Sequence, residues 1–128
     1  MKYYFNKTIK GDFEQVIDQV TRELEKEGFG ILTEIDVTET LKKKLEVDFR
    51  NYRILGACNA PYAHKALEAE DKIGTMLPCN VIVQEKESGQ IEIAAVNPIA
   101  SMQAVDNRAL GKVAQEIKGK LEKIISKL

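Results

Sequence analysis

Two one-sided helical stripes constrain this chain more than any other feature. Near the C-terminal end Leu110, Val113, Ala114, Ile117, Leu121, Ile124, Ile125 and Leu128 recur at helical spacing. Earlier, Phe13, Val16, Ile17, Val20 and Leu24 do the same; Asp12 with Gln15 makes a capping-box start and Gly28 a C-terminal stop. A helix with a single apolar stripe needs one surface to lie on and leaves its other side wet. The intervening chain supplies that surface as strands.

The first strand alternates Tyr3, Phe5, Lys7 and Ile9 with Tyr4, Asn6 and Thr8, and Gly11 breaks it. ILTEIDV reads as a strand with Ile31, Thr33, Ile35 and Val37 on one face. TETLKKKLEV carries Leu41 and Leu45 one turn apart, which predicts a short helix. YRILGAC is a third strand, with Tyr52, Ile54, Gly56 and Cys58 on one side. From Pro61 to about Glu70 a helix shows a small apolar face of Ala63, Ala66 and Leu67. CNVIVQE and QIEIAAV form a hairpin around Glu-Ser-Gly, and Asn97-Pro98 ends its second strand. The order is β-α-β-(α)-β-α-β-β-α. It predicts an α+β two-layer sandwich, a mainly antiparallel sheet covered on one face by the two long helices.

At 128 residues, with no repeat, low-complexity tract or linker, the chain reads as one domain over 1–128. Its 44% hydrophobic and 30% charged residues belong to a soluble globular protein. A formal net charge of −1 provides no field for nucleic acid or an anionic membrane. The six Lys and Arg from Asp106 onward, against three Asp and Glu, are spread along a solvated helix face. No apolar run approaches the ~20 residues of a membrane span. The opening MKYYFNKTIK alternates instead of forming an apolar leader. The expectation is a cytoplasmic protein with no nucleic-acid or membrane partner, whose two cysteines are reduced thiols.

Both cysteines lie in one stretch, GACNAPYAHKALEAEDKIGTMLPCN, each followed by asparagine, with the only histidine between them. Cys58 ends a strand and Cys79 begins another. In an antiparallel pair the thiols share one end of the sheet; in a parallel pair they stand at opposite ends. As free cysteines they are at minimum small buried hydrophobes. A zinc site would draw on Cys58, His64 and Cys79 with a carboxylate such as Glu68, but no Cys-x-x-Cys pair is present and no metal is assigned. A nucleophilic thiol would use Cys58, which lies just before the Pro61 helix, with His64 one turn in. Asn59 is placed to cap that helix, and Asn80 to reach across to the same turn. No phosphate loop, nucleophile elbow or His-Glu-x-x-His pattern occurs.

The strings YRILGACNAPYAHKAL and IGTMLPCNVIVQE, with Asn97-Pro98, resemble the Domain of Unknown Function 302 family over nearly the whole chain. The resemblance implies a small α+β fold related to that of TATA-box-binding proteins, a homodimer, and a molecular function that is unassigned. Two departures are present. Ala60 stands between Cys58-Asn59 and Pro61, where the family has proline directly, and Asn97 stands where it has aspartate.

Three readings stand side by side. The first is a non-enzymatic homodimeric domain that holds a small ligand or metal near Cys58, Asn59, His64, Cys79 and Asn80, its cofactor unspecified. The second is a thiol-dependent enzyme or redox-responsive protein that uses Cys58 as thiolate, Cys79 as resolving thiol and His64 as neighbour. The third is a structural domain, in which the motifs fix turns and the dimer surface carries the biology.

Overall fold

The computed structural model describes every residue from Met1 to Leu128. Five strands, β1 (Tyr4–Lys10), β2 (Gly30–Asp36), β3 (Tyr52–Cys58), β4 (Cys79–Glu87) and β5 (Gln90–Val96), form one sheet in the order β1-β5-β4-β3-β2. Every neighbouring pair is antiparallel. Helix α1 (Phe13–Lys26) and the last helix, α5 (Arg108–Lys127), cover one face. Between them come α2 (Val37–Leu45), α3 (Ala60–Ala69), a 3-10 segment (Asp71–Met76) and α4 (Pro98–Ser101). The α+β sandwich with two long covering helices is what the two stripes require.

The stripes do the packing. All five apolar residues of the first stripe are buried, as are Leu110, Ala114, Ile117, Leu121, Ile124 and Ile125 of the second. Most of them meet Leu55, Ala57, Val81, Val83, Ile91, Ile93 and Ala95 of the sheet in one core. Each fully buried Leu or Ile there stabilises the fold by roughly 1.5–3 kcal/mol relative to exposure.

Local rules set the ends of α1. The Asp12 carboxylate accepts from Gln15 N–H at 3.1 Å. At the other end Gly28 (φ +89°) allows Gly28 N–H to reach Glu25 O and Phe29 N–H to reach Leu24 O. This is a Schellman stop, which turns Phe29 back into the core beside Leu24.

Strand β2 departs from the sequence reading. Ile31 pairs with Ala57 but Thr33 pairs with Gly56, so Leu32 is an extra, bulged residue. The bulge puts Ile31 on the helix-covered side and sends Thr33 and Ile35 to the opposite face. The single face expected for Ile31, Thr33, Ile35 and Val37 therefore does not exist. Val37 belongs to α2, because the Asp36 side chain accepts from Glu39 N–H and starts the helix there. The segments at 71–76 and 98–101 carry no long periodicity and are additions to the predicted order.

No helix covers the second face. Across it the register aligns Asn6, Ala94, Ile82, Ile54 and Ile35, one from each strand, in a largely apolar row. Beside that row Arg50 Nε donates to Gln84 Oε1, and Gln84 Nε2 and Asn6 Nδ2 donate to the two oxygens of Glu92. These bonds hold the Glu92 carboxyl below the usual carboxylate range, the Asn6 amide being the strongest cause.

Candidate functional site

The β3–β4 register decides the geometry of the two Cys-Asn motifs. Ala57 faces Cys79 and Gly56 faces Asn80, so both motifs lie at one end of the sheet. Cys79 packs against the main core on the helix-covered side. Burial, followed by the nearby Cys58 thiol, pushes the Cys79 thiol up to about 11, so it stays protonated at neutral pH. A neutral thiol is a poor nucleophile and behaves as a small polarisable hydrophobe.

Gly56 holds the two motifs together. A Cβ added there would stand 2.1 Å from Thr33 Oγ1 and 2.8 Å from Pro78 Cγ. The residue before Cys79 is thus seated on the glycine two positions before Cys58. The Leu77–Pro78 peptide bond is cis.

Asn59 occupies the N-cap position of α3, but its side chain does not cap that helix. Instead Nδ2 donates to Glu27 O at 3.1 Å, tying the end of α1 to the junction of β3 and α3. The tie has two close parallels. Asn97 caps α4 and donates to Lys2 O, and Asn107 caps α5 and donates to Ala69 O. In each case an asparagine at a helix start fastens a segment distant in sequence.

Beside Cys58, Asn59 and Cys79 lies a cavity of about 330 Å³. Its walls are Phe29 and the bulged Leu32, one side of α3, Gly74 with the stretch from Leu77 to Cys79, Pro98 with Met102, and one turn-and-a-half of α5 from Val113 to Ile117. Fourteen of its eighteen lining residues are hydrophobic and none is charged. Alanines explain the space: Ala63 and Ala66 on α3 and Ala114 on α5 keep side-chain volume out of the gap between the two helices. Tyr62 stands at the wall, with the ammonium groups of Lys65 and Lys120 5.4 and 5.9 Å from its ring. Glu116 beside its hydroxyl raises the Tyr62 phenol above its ordinary range.

The other candidates stand apart. His64 lies on the outer side of α3, its side chain 75% exposed and paired with Glu68 at 3.0 Å. It is not among the residues of the cavity wall. Asn80 is exposed on the uncovered sheet face, facing a different depression, and makes no bond to the Asn59 turn. No group of three His, Cys, Asp or Glu side chains is placed to hold a metal ion, so Cys58, His64, Cys79 and Glu68 do not converge. The α5 wall and that of Gly74, Leu77 and Pro78 escaped the sequence reading. The one signal for them is the small-residue face of α3, which needs a partner that leaves room.

Together these features define an open-sheet α+β domain with its two long helices on one side and a cleft with no charged lining residue beside Cys58, Asn59 and Cys79. The chain belongs to the DUF302 family, described as a domain of unknown function, whose model matches residues 5–128. Among solved structures it is similar to an uncharacterized conserved DUF302 protein from Bacillus stearothermophilus. The two superpose with a TM-score of 0.90 at 27% identity over 98% of each chain. No curated protein matches it. No helix is long and apolar enough to cross a membrane.

Proposed function

We propose that this domain binds a small, uncharged, mostly apolar molecule in the cavity beside Cys58, Asn59 and Cys79, and that it acts by binding and not by catalysis. The observation that carries this reading is the cavity wall: about 330 Å³ with no charged residue, beside two thiols and an amide. Its volume falls at the low end of small-molecule sites. The thiol-enzyme reading has less support, because His64 is turned to solvent and burial favours the neutral form of Cys79.

The test is a thermal melt with indole at millimolar concentration. Binding stabilises by RT ln(1 + [L]/Kd), about 1.4 kcal/mol at ten times Kd. The Ala63→Phe variant places a ring in the space from a half-buried position and should abolish that shift. A folded wild type with no shift, or an equal shift in Ala63→Phe, would sink the reading.

The same proposal keeps the chain as a homodimer, with a second copy seated on the uncovered sheet face. Support comes from the row Ile35, Ile54, Ile82 and Ala94, which reaches the β2 edge, where Ile35 is 48% exposed. Five strands of about seven residues present roughly 550 Å² of projected face. That is close to what one partner of a stable pair covers, ~800 Å² of accessible area. A monomer in sedimentation velocity at 50 μM would refute it (about the concentration where a micromolar Kd gives mostly dimer).

A further inference from the structure

Asn59 has a second half that the α1 tie does not use. The residue is only 7% exposed, and its Nδ2 is committed to Glu27 O. A carbonyl oxygen cannot donate to another, so the amide orientation is fixed and Oδ1 is the free acceptor. Oδ1 takes no hydrogen bond from the first turn of α3, which leaves it without a donor. Yet the sole side-chain polar atom that is fully enclosed and unpartnered in this protein is Arg53 Nε. Oδ1 therefore keeps a face open to space, and Asn59 is part of the cavity wall.

Chemistry then narrows the occupant. No lining residue is charged, and the charges of Lys65, Lys120 and Glu116 are held around Tyr62, so a charged molecule would recover little of the hydration it loses there. The cavity is about twice the ~150 Å³ of an apolar cavity that accommodates benzene, which suits two fused rings or an equivalent branched skeleton. Burying such a skeleton against Asn59 would leave a bare carbonyl oxygen unsatisfied, unless the ligand brings a donor.

Resting on the proposed cavity function, we infer that the ligand class is neutral, of about bicyclic size, and carries one N–H or O–H donor that bonds to Asn59 Oδ1. The acceptor then selects among apolar molecules by that single group. The backbone tie through Nδ2 holds the amide in place before the ligand arrives, so little ordering cost remains.

The experiment compares indole with indene, which have the same ring skeleton and differ by an N–H against a CH₂. Each is titrated into the full chain by calorimetry, and the Asn59 side-chain amide is followed by NMR. Indene is the more apolar of the two, so burial alone favours it. The expected result is the reverse: indole binds at least about twofold more tightly, and the Asn59 amide resonances shift with indole far more than with indene. One hydrogen bond of ordinary net strength gives a factor of about 2 to 12. Equal affinities, or tighter binding of indene, would overturn the donor requirement while leaving the cavity function intact. Binding of neither ligand at millimolar concentration to a protein shown folded by circular dichroism would overturn both. Binding of both unchanged in Ala63→Phe would place them elsewhere and overturn both as well.

Discussion

Gly56 offers the sharpest test of how the two motifs are joined. A Gly→Ala change inside a strand ordinarily stabilises, by roughly 0.5–1 kcal/mol, because the unfolded chain has fewer conformations to lose. At Gly56 the structure demands the opposite sign. The new methyl would lie 2.1 Å from Thr33 Oγ1 and 2.8 Å from Pro78 Cγ, both inside van der Waals contact. Thr33 is exposed, and its hydroxyl can swing away by changing rotamer. The Pro78 ring cannot swing, so β3 and β4 must separate locally or the segment before Cys79 must shift. Overpacking of this kind costs about 1–3 kcal/mol. Set against the expected gain, that cost leaves Gly56→Ala destabilised by a net ~1 kcal/mol in urea titration, with an unchanged slope. A Thr33→Ala/Gly56→Ala double variant separates the two contacts. It should recover the part due to Thr33 and leave the larger part due to Pro78. Stability at or above wild type for Gly56→Ala would refute the claim that Pro78 is seated on the glycine.

Cys79, Arg53 and Asn59 each carry a further prediction. Because the Cys79 thiol is pushed up to about 11, the folded state holds that proton more tightly than the unfolded chain, where the ordinary value is 9.0. Its stabilisation is full below pH 9 and is lost as pH rises through 11, at most about 3 kcal/mol. The difference between wild type and Cys79→Ala in denaturant melts from pH 8 to 11 should narrow accordingly, and iodoacetamide labelling of Cys79 should stay slow until the same range. Arg53→Met should destabilise by about 1–3 kcal/mol, since Glu14 and Glu34, bonded at 2.6 and 2.7 Å, and Asp36 at 3.7 Å lose their shared cation. Part of that loss should return in 1 M salt as the exposed carboxylates are screened. Asn59→Asp should cost roughly 1–2 kcal/mol at pH 7, because a carboxylate in place of Nδ2 meets Glu27 O without a donor. The deficit should shrink below pH 4, where the acid can donate; a constant deficit across that range would argue against the tie.

The layer architecture was legible because it depends on periodicity. Phe13 through Leu24 and Leu110 through Leu128 state their buried faces outright, and two helices with one stripe each leave few alternatives to a sheet beneath them. What periodicity cannot carry is a single inserted residue. Leu32 shifts the phase of β2, and nothing in ILTEIDV marks which residue will be the extra one. The candidate site was legible by half for a related reason. Residue type drew attention to Cys58, Asn59 and Cys79, which do line one cavity. The same attention to type drew in His64 and Asn80, whose directions depend on helix phase and strand parity. The opposite wall, on α5, is distant in sequence and consists of Val113, Ala114 and Ile117, which read as ordinary core positions.

Repetition of Cys-Asn suggests two copies of one device, and the geometry argues against that. Asn59 is buried and reaches back to the end of α1, whereas Asn80 is exposed on the uncovered face. Cys79 enters the core beside Ala57, while Cys58 ends β3 opposite Gly30 of β2. The residues that make the motifs interdependent are the ones preceding the cysteines, Gly56 and Pro78, since a side chain at the first would displace the second. Their contact brings the Cys79 segment close against β3 and so builds one wall of the cavity. The motifs are therefore better regarded as one joint with two unlike halves. Its glycine–proline contact sets the shape of the space, and its asparagine supplies the single polar feature that a ligand would meet there.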